Sequence, residues 1–169
     1  MDIRIYGDPV LRGQGEKIPV EKIPDYKDLI NNMFEKMYES NGIGLAAQQV
    51  GLNIQLAVID TREQDCGKIV LINPQITGYS EQYTVFEEGC LSFPDIHGDI
   101  ERPESIELKY YNSEGKLIVD KFEGLLARVA QHEIDHLNGV LFIDRMSSVH
   151  RMLLKKRLSK LKSVNRINF

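Results

Sequence analysis

Between Asp25 and Tyr38 the apolar residues Leu29, Met33 and Met37 fall four apart, the spacing that aligns side chains on one helix face. This predicts a helix, stopped by Ser40-Asn41-Gly42. The pattern then changes. Gln55 to Ile59 alternates, Val70 to Ile72 is a short apolar run, and Tyr83 to Phe86 leads into Gly89, so each predicts a strand. Ile106 to Tyr111 and Leu117 to Phe122 are two more, flanking a hairpin turn at Asn112-Ser113-Glu114-Gly115. From Gly124 to Leu137 apolar residues cover most of a helix circumference (Leu125, Leu126, Ala127, Val129, Ala130, Ile134, Leu137). A buried central helix is predicted there, closed by Asn138-Gly139. A last helix is predicted from about Ser147 to Lys162, docking on the body through Leu153, Leu154, Leu158 and Leu161. The opening segment has turn signals at Gly7-Asp8-Pro9 and Gly13-Gln14-Gly15 and reads as irregular surface chain. Strands grouped together, with helices segregated from them, predict an α+β fold rather than a parallel α/β sheet. No repeat or linker divides the chain, so residues 1–169 read as one domain.

Composition narrows the class without naming a chemistry. Apolar residues at 42% and charged residues at 27% over 169 positions are ordinary for a globular chain that buries a core. No apolar tract reaches the roughly eighteen residues of a membrane span, and Met1 to Tyr6 lacks the apolar run of a signal peptide. A cytoplasmic location without membrane contact is expected. There Cys66 and Cys90 are not expected to form a structural disulfide. Charge is unevenly spread. Arg145 to Phe169 holds eight Lys and Arg and no acid, so the net −4 leaves −12 on the rest. An acidic body with a basic tail points to a polyanion as the partner of the tail.

The strongest chemical signal is His132-Glu133-Ile134-Asp135-His136. Two histidines four apart on a helix share a face and reach one metal ion, and Glu133 beside them can act on a water at that ion as general base, then acid. Half of the four histidines fall in this single turn. A catalytic site of this type needs a third protein ligand and an open position. Downstream, Phe142 stands where the longer metalloprotease motif has its third histidine, and no glutamate follows Glu133. Asp144 and His150 stay open, without a motif around either. Upstream, Cys90 is the natural candidate: a strand runs through Glu87-Glu88-Gly89 into it and on to a turn at Pro94. Cys66 lies in a polar loop with no histidine nearby and reads as non-functional. A third segment, Gly42-Ile43-Gly44-Leu45-Ala46-Ala47-Gln48-Gln49-Val50-Gly51, allows close backbone approach by a ligand. By itself it also reads as a simple helix-to-strand turn.

Together, Gly42 to Gln49, Glu88-Gly89-Cys90-Leu91-Ser92 and His132 to His136 resemble the three signature motifs of the peptide deformylase family, in family order and about forty residues apart. The resemblance extends to Gly7-Asp8-Pro9-Val10-Leu11-Arg12 and Leu137-Asn138-Gly139-Val140-Leu141-Phe142. It implies antiparallel sheets surrounding a central metal-bearing helix, with a C-terminal helix as in the shorter bacterial form. It implies metal-dependent removal of the formyl group from the formyl-methionine terminus of nascent polypeptides, releasing formate. By the same resemblance Cys90, His132 and His136 hold one divalent ion, and Glu133 moves the proton. The Gln49 amide and the Leu91 N–H stabilise the oxyanion. Ile43, Phe86, Leu125 and Val129 form the methionine pocket, and the peptide pairs in strand fashion near Gly44 and Gly89. Fe²⁺ is the expected physiological ion, with Zn²⁺, Ni²⁺ or Co²⁺ as substitutes. Besides N-formylmethionyl peptides, the implied partner is the ribosome, its RNA and exit-region proteins, met by the basic C-terminal helix. Asn41 and Asp95 depart from residues frequent in relatives, at positions bearing on the groove and not the chemistry.

Overall fold

The computed structural model describes residues 1–63 and 67–167, with backbone alone for 164–167. The reading of Cys66 lies outside the described residues. Two short 3-10 helices, Pro9–Arg12 and Val20–Tyr26, precede α1, Lys27–Glu39. The 3-10 turn carrying Pro24 takes the residues at which the helix was expected to begin. Ile30, Met33, Phe34 and Met37 form the buried stripe of α1 and pack with Ile18, Ile23, Leu45, Leu56, Val58 and Ile72. Each such burial contributes roughly 1.5–3 kcal/mol.

After α1 come β1 (Gly44–Ala46), a 3-10 turn (Ala47–Val50), β2 (Leu56–Ile59) and β3 (Ile69–Tyr79). Then follow β4 (Tyr83–Gly89), β5 (His97–Pro103), β6 (Ser105–Tyr111) and β7 (Leu117–Glu123). The main sheet has order β1-β2-β3-β6-β7, all neighbours antiparallel, and β4 and β5 form a separate two-stranded ribbon. The hairpin between β6 and β7 sits at the predicted turn. There Asn112 Oδ1 accepts the amides of Glu114 and Lys116, and Gly115 has φ +76°.

Three strands exceed the expectation. β3 continues seven residues past Ile72 through polar Asn73-Pro74-Gln75, with register shifts against β6. Asn73 (φ +51°) turns its side chain to the Ile18 N–H (2.9 Å) and carbonyl (2.7 Å), so the irregularity is tied to the N-terminal segment. β5 contains one aliphatic residue, Ile100, and its second inward position is Arg102, so alternation of apolar residues could not reveal it. β1, readable as a turn, pairs with β2 through Gly44↔Ile59 to Ala46↔Ala57.

α2, Gly124–Leu137, is buried from Ala127 onward and lies between the main sheet and the ribbon. Ala127, Ala130, Ile134 and Leu137 face Ala57, Ile59, Leu71, Ile106, Leu108 and Phe122 of the sheet. Its polar stripe, Arg128, His132 and Asp135, bonds to the ribbon. The fold is α+β, with antiparallel sheets surrounding α2. A short helix, α3 (Phe142–Arg145), was not anticipated, and α4 spans Ser148–Ile167, beyond the expected end at Lys162. α4 docks through Leu154, Leu158 and Leu161 beside Phe93, Ile96 and Phe142. Leu153, expected to join that stripe, lies one residue off its i, i+4, i+7 spacing and is 72% exposed. No helix among the described residues is long and apolar enough to cross a membrane.

Candidate active site

The helical spacing of His132 and His136 brings their rings to 5.0 Å between centroids, both buried. The turn after β4 delivers Cys90 to them: its Sγ lies 3.2 Å from His136 Nε2. One ligand atom from each of Cys90, His132 and His136 falls within 4.8 Å of the others. Cys90 is free. A thiol and two imidazoles converging in this way fit one divalent cation. Burial opposes a charge on His132, but its contacts with Cys90 and Glu88 hold a proton there and raise its pKa. Burial and the neighbouring His132 push His136 down. A cation bound by the same three side chains would displace that proton.

Glu88 fixes the orientation of His132. Its Oε2 is 3.0 Å from His132 Nδ1, leaving Nε2 toward Cys90 and His136. Burial alone would raise the Glu88 carboxyl, yet the bonds from His132 and Arg102 hold it well below the usual carboxylate range. Arg102 donates to both Glu88 oxygens (2.7 and 3.0 Å) and to Asp135 Oδ2 (2.7 Å), and Arg145 closes the network on Asp135 (2.6 Å). Arg128 adds a second guanidinium on Glu88 (3.0 Å). Apart from Arg145, whose side chain is exposed, these charges are buried, and all are paired and hydrogen-bonded, the condition under which buried charges are tolerated.

Glu133 is 3% exposed, and its Oε2 has no hydrogen-bond partner among the described residues. Burial raises its pKa to about 7. Gln49 is oriented by the 3-10 turn after β1. Its Oε1 accepts the Ala46 N–H (2.8 Å), which turns Nε2 toward Cys90 Sγ and Ser92 Oγ, each at 3.4 Å. The N-terminal segment straps the two loops together: the Arg4 amide donates to the Gln49 carbonyl (2.7 Å) and the Tyr6 amide to that of Ser92 (2.9 Å).

A cavity of about 560 Å³ opens over this cluster. Its lining includes Ile43, Gly44, Gln49, Phe86, Gly89, Cys90, Leu91, Leu125, Val129, His132 and Glu133. His136, the remaining residue singled out from sequence, lies behind Cys90 and does not line the cavity. Asp144, left open as a ligand, instead pairs with Arg12. Sequence reasoning missed Arg102, Arg128, Gln131 and Asp135 and gave Glu88 no role. The signal was present in α2: Arg128, Gln131, His132 and Asp135 recur at i, i+3, i+4 and i+7 on a helix otherwise apolar.

A metal-binding His-Glu-x-x-His helix enclosed by antiparallel sheets, with a cysteine as third ligand candidate, defines a metallohydrolase of α+β architecture. A family model described as polypeptide deformylase matches residues 1–152, and the chain belongs to that family. It is 48% identical over 157 residues to a peptide deformylase of Thermotoga sp. (strain RQ2), covering 92% of this chain and 93% of that one. The crystal structure of peptide deformylase from Plasmodium falciparum superposes with TM-score 0.91 at 35% identity, covering 98% of both chains. That of a Synechococcus elongatus peptide deformylase in complex with actinonin gives 0.85 at 41% identity, covering 95% of this chain and 85% of that one. The family's activity, removal of the N-formyl group from nascent polypeptides, is the activity of this enzyme.

Proposed function

We propose that deformylation takes place in the cavity over Cys90, with these residues in stated roles. Cys90, His132 and His136 hold one divalent cation, Fe²⁺ in the cell, with Zn²⁺, Ni²⁺ or Co²⁺ able to substitute. The bound cation supplies Lewis-acid activation of water and of the formyl carbonyl. The observation that carries the reading is the buried Glu133 carboxyl beside the Cys-His-His cluster, whose Oε2 has no hydrogen-bond partner among the described residues, a costly arrangement unless a reacting group meets it.

Glu133 takes the proton of the attacking water and returns it to the amine as the C–N bond breaks, releasing formate and a free methionine terminus. As the formyl carbon becomes tetrahedral, its oxygen gains charge. The Gln49 amide, pre-aimed by Ala46, and the Leu91 backbone N–H stabilise that charge without reorganising. Ile43, Phe86, Leu125 and Val129 receive the methionine side chain, and the following residues pair with backbone near Gly44 and Gly89. The basic face of α4 (Arg151, Lys155, Lys156, Lys160, Lys162) meets ribosomal RNA and exit-region proteins.

Formate release from formyl-Met-Ala-Ser, by protein loaded anaerobically with Fe²⁺, tests the assignment. Glu133→Ala is expected to retain the metal and lose roughly 10²–10⁴-fold in kcat, and actinonin is expected to inhibit the wild type. Full activity in a metallated Glu133→Ala protein would remove Glu133 from the mechanism.

A further inference from the structure

Phe86 forms a wall of the cavity and yet is 58% exposed, so packing against the body does not hold it in place. Its position is set by the ribbon backbone, and a two-stranded ribbon is marginally stable alone. Arg128, buried on α2, grips that backbone around Phe86. Its Nη2 donates to the Thr84 carbonyl (2.7 Å) and hydroxyl (3.0 Å), two residues before Phe86. Its Nη1 donates to the carbonyl of Ile100 (2.9 Å), the cross-strand partner of Phe86, and to Glu88 Oε1 (3.0 Å), two residues after it. All four N–H bonds of the terminal nitrogens are thus committed to the ribbon. Of the other ties from α2, His132 meets the Glu88 side chain, Gln131 holds the Pro103 carbonyl, opposite Tyr83, and Asp135 holds the Arg102 side chain. Among the described residues the backbone at Thr84 and Ile100 is therefore held from α2 by Arg128. Arg128 also lines the cavity itself, beside Leu125 and Val129.

We propose that Arg128 is a positioning residue that sets selectivity for the first substrate side chain, by fixing the Phe86 wall at the width of a methionine. The proposal rests on the assignment of this cavity to the formyl-methionine side chain. A fixed apolar pocket discriminates side chains differing by a methylene by about 10–200-fold. A wall free to recede loses that discrimination, because a bulkier side chain no longer meets a rigid surface. The effect falls on binding of the side chain and not on the metal, whose ligand His132 keeps its bond to Glu88, itself still held by Arg102.

The test compares wild type, Arg128→Met and Arg128→Lys on formyl-Met-Ala-Ser and formyl-Phe-Ala-Ser, with metal content measured on each. In Arg128→Met, KM for the methionine peptide is expected to rise about tenfold with kcat little changed. The Met/Phe ratio of kcat/KM is expected to fall by about the same factor at one metal per chain. Arg128→Lys, which keeps the cation beside Glu88 but cannot grip both strands, should shift the ratio in the same direction by less. It also carries the test if the methionine variant fails to fold. The ratio is independent of how much enzyme is active, so a purely structural role leaves it unmoved. An unmoved ratio in metallated variants, or metal loss with equal decline on both substrates, overturns the proposal. A wild type inactive on both peptides would overturn the deformylase assignment itself, and this proposal with it.

Discussion

Gly44 leaves a space that Glu133 fills. A Cβ there would lie 2.4 Å from Glu133 Oε1 and 2.8 Å from Val129 Cγ1, so Gly44→Ala must push the carboxylate out of place. The glycine in β1 is required by this close approach, since its backbone is that of an ordinary strand. Gly44→Ala is expected to lower kcat/KM on a formyl peptide by about 100-fold, the cost of an ångström-scale misplacement. Far-ultraviolet circular dichroism and metal content should stay those of wild type. A variant with full activity would mean that Glu133 has room to move and is not held where the reaction needs it. At this scale the convergence of Cys90, His132 and His136 was legible because these residue types are rare: two of four histidines in one turn, and a cysteine at a strand end. Glu88, Arg102 and Arg128 were not, since charged residues are common and only the fold reveals which are buried against one another.

At the scale of elements, the contacts that hold the main sheet against α1 include one with a readable pH dependence. Tyr38 near the end of α1 donates its hydroxyl to Asp60 just after β2, at 2.5 Å. Burial and that bond raise the Tyr38 pKa from 10.0 to about 12. The Asp60 carboxyl is lowered by the same bond and by the Arg62 amide. A raised folded-state pKa gives stability that is full below pH 10.0 and is lost as pH rises toward about 12. The melting temperatures of wild type and Tyr38→Phe should therefore differ most below pH 10.0 and converge between there and about 12. A constant difference across that window would mean the tyrosine ionises as readily folded as unfolded. Elements with a marked apolar pattern were readable along the chain: α1, β6 and β7, the all-apolar and fully buried β2, and α2 with apolar residues around most of its circumference. β5 was hidden because its second inward position is Arg102 and its neighbour across the ladder is Glu88's strand, so polar groups do there what apolar side chains do elsewhere. The length of β3 was hidden by Asn73-Pro74, which interrupts hydropathy while the pairing resumes beyond.

For the whole molecule, the proposed ribosome contact turns on whether an acidic body can meet a polyanion through α4. α4 turns Leu154, Leu158 and Leu161 inward and leaves Arg151, Lys155, Lys156 and Lys160 exposed, together with Val149, Met152 and Leu153. That face therefore offers two separable kinds of contact: cations for phosphate, and an apolar stripe for protein. Phosphate contacts release counterions, so log affinity falls against log salt by about 0.7–0.9 per contact. Apolar contacts carry no such slope. Cosedimentation of the full chain with ribosomes between about 50 and 200 mM salt should separate them. Replacing Lys155, Lys156 and Lys160 by Gln is expected to flatten the salt slope, by up to about 2–3 if all three meet phosphate. Leu153→Ser should weaken binding by a similar factor at every salt concentration and leave the slope alone. Turnover of a free formyl peptide, measured on the same preparations, reports whether each variant is correctly folded. If the triple substitution leaves both slope and affinity unchanged, the basic face of α4 is a solvated helix surface, and the enzyme finds nascent chains without it.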